Sequence, residues 1–107
     1  KKFGDYCKEH NVGGLLGEFA ATSRVSMSRD AGYLNEWHES RAWWHYTVVE
    51  QCLEHNICPM LWDNGDAKSK DVDGGGWINR IRKEFVYSSV LNAMLDAMEG
   101  KPFEYRE

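Results

Sequence analysis

The sequence predicts an α/β fold built on parallel strands, and one that is incomplete by itself. Two short apolar runs, Val12-Gly13-Gly14-Leu15-Leu16-Gly17 and Ile57-Cys58-Pro59-Met60-Leu61-Trp62, are bounded by Asn, Gly and Asp and read as buried strands. A long helical pattern separates them and another helix follows the second. Strands alternating with long helices pair in parallel through right-handed crossovers. Two such strands leave two open edges and an uncovered face, whereas parallel sheets occur almost only with both faces buried.

Taken in order, residues 1 to 10 carry Phe3, Tyr6, Cys7 and His10 near helical spacing, with Asn11 as the stop. The first strand spans about 12 to 18, and its apolar run ends abruptly on Glu18. An acid at the end of a strand covered on both faces has a chemical reason to be there. Residues 20 to 32, rich in Ala, Ser, Thr, Arg and Asp, form a loop at the strand's carboxyl end. Its Arg24 and Arg29 read as solvated charges, with contact to a ligand as the alternative. From about 31 to 55 the pattern is helical, and Trp37, Arg41, Trp44, Val48 and Cys52 fall on one face, expected to pack on the sheet. Glu36, Glu39 and Glu54 are expected to face water. His38 and His45 lie two turns apart, too far to share one metal ion.

The second strand, about 57 to 62, contains Pro59, which costs a ladder hydrogen bond and must sit where that donor is not needed. Residues 63 to 76 form a long irregular rim loop whose glycines match no phosphate-binding pattern. Trp77-Ile78-Asn79-Arg80 reads as an extended piece returning to the scaffold. The last helix, about 86 to 98, places Val90, Leu91, Met94, Leu95 and Met98 on one face with Gly100 just past its end. Residues 101 to 107 should run extended over the surface.

At 107 residues there is room for one domain. A net charge of -4 argues against nucleic acid, whose phosphates need clustered Lys and Arg. No apolar run approaches a membrane span, and the first residues lack the apolar core of a signal peptide, although the chain opens in mid-pattern. The three cysteines, Cys7, Cys52 and Cys58, have no metal-ligand spacing and read as buried free thiols. No cofactor or metal is expected. Five Trp and five Tyr fit core packing, and they also fit a groove in which sugar rings stack on aromatic faces.

In parallel α/β folds, barrels above all, functional residues sit at the carboxyl ends of strands. Glu18 and Trp62 both occupy such ends, one helix apart, as on neighbouring strands of an eight-stranded barrel. Leu15-Leu16-Gly17-Glu18-Phe19-Ala20-Ala21, a helix with Arg41-Ala42-Trp43-Trp44, then Cys58-Pro59-Met60-Leu61-Trp62-Asp63-Asn64-Gly65 and Trp77-Ile78-Asn79-Arg80 resemble the end of the cellulase-type glycoside hydrolases of family 5.

The resemblance runs from about residue 3 to 100 and implies a partial TIM (β/α)8 barrel. The chain would supply its last two β/α units, completed by another chain or by self-association. It implies that Glu18 is the catalytic nucleophile and Trp62 the sugar platform, with Asp63 and Asn64 shaping the groove. Two departures stand out. Ala20 replaces the family's common Gly, and the strand-four acid/base glutamate is not in this chain. The activity implied is that of a retaining β-glycosidase of the endo-β-1,4-glucanase type, secreted and acting on plant polysaccharide. The alternatives are a self-associating barrel module without activity, and a small α/β domain in which Glu18 pairs with Arg24 or Arg29.

Overall fold

A computed structural model describes residues 1–27, 31–67 and 73–107, with side chains at 27 and 31–33 left aside. In order, the elements are α1 (Lys2–Glu9), β1 (Gly14–Phe19), a 3-10 turn (Val25–Met27), α2 (Ala31–Glu54), β2 (Ile57–Leu61), β3 (Ile78–Asn79), β4 (Glu84–Phe85) and α3 (Ser88–Met98). The helix-to-strand joints repeat one device. Asn11 (φ 53°) and Asn56 (φ 59°) both adopt the left-handed conformation that Asn tolerates, ending α1 and α2 just before β1 and β2. At α3, Gly100 (φ 68°) closes the helix, with the Lys101 N–H donating to the Asp96 carbonyl (2.9 Å) and the Gly100 N–H to that of Ala97 (3.2 Å).

β1 and β2 pair in parallel, Gly14 opposite Ile57, Leu15 opposite Cys58 and Leu16 opposite Pro59, as expected. The next pair is Phe19 with Leu61, so three residues of β1 match two of β2. This is a β-bulge at Gly17 and Glu18, and it reverses the alternation of β1. Leu16 and Phe19 both pack into the helix-covered core, although residues three apart in a regular strand face opposite ways. The extra residue thereby leaves Glu18 exposed, like Leu15.

Pro59 is tolerated for a similarly local reason. Asn56 accepts from the Gly14 N–H, and the Trp62 N–H donates to the Phe19 carbonyl (2.9 Å), so even-numbered residues of β2 face β1. The missing donor of Pro59 points to the strand's other edge, which is unpaired among the described residues.

The core joins Phe19, Ala42, Tyr46, Val49, Trp77, Tyr87, Val90 and Met94, with α2 packed on α3 and on β2. Of the face expected of α2, Arg41 and Cys52 are buried, and the rest is displaced by one position. Arg41, Ala42, His45, Tyr46, Val49 and Cys52 are buried, while Trp44 is exposed and Trp37 and Val48 are only half-buried. Polar His45 goes inside with both ring nitrogens hydrogen-bonded, and Arg41 with Nε bonded and its two terminal nitrogens, which have no hydrogen-bond partner among the described residues, held over aromatic rings. Leu95 and Met98 of α3 are likewise exposed, and buried Asp96 takes the inward position instead. Leu95 and Met98, with Leu53, Ile57, Pro59 and Leu91, line an apolar groove of about 590 Å³ along β2. All three cysteines are free, but Cys58 is exposed with Met60 on the sheet face opposite the helices.

The segment around Trp77 is a hairpin, with Ile78 opposite Phe85 and Asn79 opposite Glu84. The tail is tied down more firmly than an extended surface strip. Tyr46 donates from its hydroxyl to the Lys101 carbonyl (2.8 Å), Phe103 meets the Tyr46 ring at 5.5 Å, and Arg106 grips both oxygens of Asp96. Arg106 holds the Asp96 carboxyl below the usual carboxylate range. Arg106→Ala should therefore lower Tm near neutral pH. Because a depressed carboxylate stabilises only while ionised, the gap between the variant and wild type should close as pH falls through that range. Thermal melts at a series of pH values read this directly.

Gly76 is required by close approach, since an added Cβ would lie 2.3 Å from the Ala67 nitrogen and 2.5 Å from the Asp66 carbonyl carbon. Gly76→Ala should destabilise the fold by about 1–3 kcal/mol, the usual cost of overpacking. Gly17→Ala, where an added Cβ meets nothing within 4 Å, is the matched control in thermal unfolding.

Candidate active site

The bulge and the first residue after β2 deliver Glu18 and Trp62 to one groove. Its lining is Glu18, Phe19, Ala20, Thr22, Trp44, Trp62, Asn64 and Gly75, around a volume of about 460 Å³. Trp62 is 52% exposed, enough to present its ring to a ligand, while its backbone stays in the ladder through the Phe19 carbonyl. Among the described residues Glu18 is the only acid in this lining.

The residues after Trp62 divide their work. The Asp63 carboxylate accepts from the backbone N–H of Gly65 (2.9 Å) and of Trp77 (3.1 Å), and pairs with Arg80 at 3.2 Å. It is thus engaged in holding the loop and does not line the groove. Asn64 does line it, with its side-chain oxygen accepting from the Asp66 N–H at 2.9 Å.

The loops that follow the two strands are clasped together at the rim. Ser23 and Gly74 exchange backbone hydrogen bonds of 2.9 and 3.3 Å, and Asp73 accepts from the Ser26 N–H (2.7 Å) and its hydroxyl. These bonds to Ser26 hold the Asp73 carboxyl below its usual range. Arg24 is exposed on this rim and is not among the groove's lining residues; Arg29 and residues 68–72 of the rim loop lie outside the described residues.

Beneath the groove, α2 grips the chain just past Glu18. Arg41 donates from Nε to the Ala21 carbonyl (2.7 Å), and the Ala21 N–H donates to His45 Nε2 (3.4 Å). His45 Nδ1 donates to the Arg41 carbonyl (2.7 Å), a tautomer assigned from these partners. Burial pushes the His45 pKa down to about 4, so the ring is neutral at ordinary pH. The Arg41 guanidinium lies over the rings of Tyr87 (4.1 Å) and Trp77 (4.4 Å). Sequence reasoning missed Trp44 in the groove, the burial of Trp77 and the grip of Arg41 and His45 on Ala21; only the last had a signal, the i, i+4 spacing of the two residues. Among the described residues no group of three or more His, Cys, Asp or Glu is placed to hold a metal ion, and no helix is long and apolar enough to cross a membrane.

Parallel strands joined through a helix form one unit of a parallel α/β fold, with Glu18 and Trp62 at their carboxyl ends, the ends at which such folds place functional residues. Solved structures give that unit its kind: the chain resembles part of a glycoside hydrolase family 5 barrel.

A family 5 xyloglucanase from Paenibacillus pabuli, solved with a ligand, is 21% identical over 90% of this chain and 24% of its own, with a TM-score of 0.72. A Bacteroides ovatus GH5 xyloglucanase in complex with a XXXG heptasaccharide is 19% identical over 89% of this chain and 19% of its own, at a TM-score of 0.74. ZgEngAGH5_4 in complex with a cellotriose is 26% identical over 88% of this chain and 24% of its own, at 0.63. The chain thus spans about a fifth to a quarter of the length of each. No protein-family model matches it, and no curated protein does.

Proposed function

We propose that this chain is part of a retaining β-glycosidase of the endo-β-1,4-glucanase type, secreted and acting on β-linked plant polysaccharide. The observation that carries the reading is the bulge in β1, which turns Glu18 into a groove beside the exposed Trp62 ring. The resemblance to family 5 structures, three of them with ligands bound, agrees with it. A retaining enzyme holds two carboxyl groups about 5–5.5 Å apart. In this reading a Glu18 oxygen attacks the anomeric carbon while the second group protonates the departing glycosidic oxygen. That group then takes a proton from water, which attacks the same carbon and releases Glu18. Trp62 stacks on a sugar ring beside the cleaved bond, and Asn64 contacts the sugar from the rim. Asp63 acts from behind, by fixing the loop.

Because Glu18 is the sole acid among the described residues that line the groove, the acid/base group in this reading comes from the part of the barrel outside them. The exposed Leu15 and Met60, the edge of β2 that is unpaired among the described residues and the apolar groove beside it are the surfaces on which that remainder would pack. A nucleophile-trapping fluorosugar tests the assignment. It should label Glu18 in the hydrolytically active assembly, and activity without a label there would reject it. The same apolar surfaces favour a second reading, a barrel module that self-associates without hydrolysis. Sedimentation of the purified chain together with a reducing-sugar assay separates the two.

A further inference from the structure

We propose that Arg41, His45 and Trp77 are positioning residues, forming a buried brace that sets where Glu18 stands relative to Trp62. The proposal rests on the reading of Glu18 as nucleophile and Trp62 as platform, and it adds what holds them in relation. At one end, the N–H and the carbonyl of Ala21, three residues beyond Glu18, are gripped by His45 (3.4 Å) and Arg41 (2.7 Å). At the other end, the Trp77 indole donates from Nε1 to the Trp62 carbonyl (2.6 Å), and its backbone N–H reaches Asp63 (3.1 Å). In between, the His45 ring meets the Trp77 ring edge-on at 4.9 Å and the Arg41 guanidinium lies over the same indole at 4.4 Å.

The three side chains are 4%, 0% and 0% exposed. A core needing only bulk would use apolar residues here, since burying a guanidinium and an imidazole is costly. Arg41 offsets that cost only through Nε and the faces of Trp77 and Tyr87, its two terminal nitrogens having no hydrogen-bond partner among the described residues. The bonds these side chains make go instead to backbone groups at the two strand ends, and through the Arg41 carbonyl to each other. A brace of this kind acts on geometry, and a misplacement of about 1 Å in a reacting group can cost on the order of a hundredfold in rate.

The test compares His45→Leu, His45→Gln and Trp77→Phe in the hydrolytically active assembly containing this chain, with Glu18→Gln alongside. Gln keeps an acceptor for the Ala21 N–H, and Phe keeps a ring at 77 while removing the donor to Trp62. The expected result for His45→Leu is a fall in kcat of about ten- to a hundredfold with KM changed less than about threefold. His45→Gln should restore kcat to within about threefold of wild type, and Trp77→Phe should lower kcat/KM about tenfold while its melting curve stays cooperative. If His45→Leu fails to fold, the Trp77→Phe and His45→Gln pair still decides the matter. Loss of Tm with kcat and KM unchanged in Trp77→Phe, or equal losses in His45→Gln and His45→Leu, would overturn the brace. An inactive Glu18→Gln beside those outcomes leaves the nucleophile reading standing, whereas a fully active Glu18→Gln overturns that reading and the brace with it.

Discussion

Glu18→Gln is expected to reduce hydrolysis of a β-1,4-glucan by at least about a thousandfold, equivalent to ~4 kcal/mol of barrier. The amide matches the carboxylate in size, so the groove keeps its shape, but a neutral amide oxygen cannot form the glycosyl ester through which a retaining enzyme must pass. KM should move little, because Trp62 and Asn64 still line the groove. Trp62→Ala should do the opposite, raising KM about tenfold or ~1.4 kcal/mol with a smaller effect on kcat. Steady-state kinetics on the active assembly separate these patterns. Wild-type turnover in Glu18→Gln would remove Glu18 from the reaction altogether.

The second large effect concerns stability against acid. His45 is fully buried and neutral, with a pKa of about 4 in the fold against an ordinary 6.5. Burial is the main cause; the hydrogen bond to the Arg41 carbonyl works against it and the Arg41 charge works with it. Between these values the unfolded chain takes up a proton that the folded chain refuses, so stability falls as the solution is acidified. The contribution is fully present above pH 6.5 and is lost progressively toward pH 4, with about 3 kcal/mol at stake. His45→Gln removes this linkage while keeping an acceptor for the Ala21 N–H. Its urea midpoint should be flatter than that of wild type across the window, and an NMR titration should find the native ring neutral until near pH 4. Parallel pH profiles in wild type and variant would contradict the prediction.

The elements were legible wherever a single period ran uninterrupted. Both helix-to-strand joints, the parallel pairing and the strand ends carrying Glu18 and Trp62 follow from apolar runs stopped by Asn and Gly. Reading failed where polarity and burial part company. On α2, Arg41 and Cys52 lie inside as expected, but Trp44 is outside and His45 goes inside, where its ring meets the Ala21 N–H. On α3, Leu95 and Met98 were expected inside, and their side chains border a groove that no described element fills. The bulge had one signal, Gly17 within a strand, and the β3–β4 hairpin had almost none, its strands being two residues each. For the site, the residue types were visible and their division of labour was not. Nothing in Trp-Asp-Asn-Gly separates a groove-lining Asn64 from an Asp63 occupied by Gly65, Trp77 and Arg80.

The two outer margins of the β1–β2 ribbon share one property. On one side Pro59 removes a donor in mid-strand, and on the other the irregularity at Gly17 and Glu18 breaks the spacing of β1. A margin with regular donors and acceptors would template the endless stacking of like chains that leads to fibrils. Here any incoming strand must accommodate a gap at one margin or a step at the other, so an arriving segment is selected for fit and regular stacking of like strands is disfavoured.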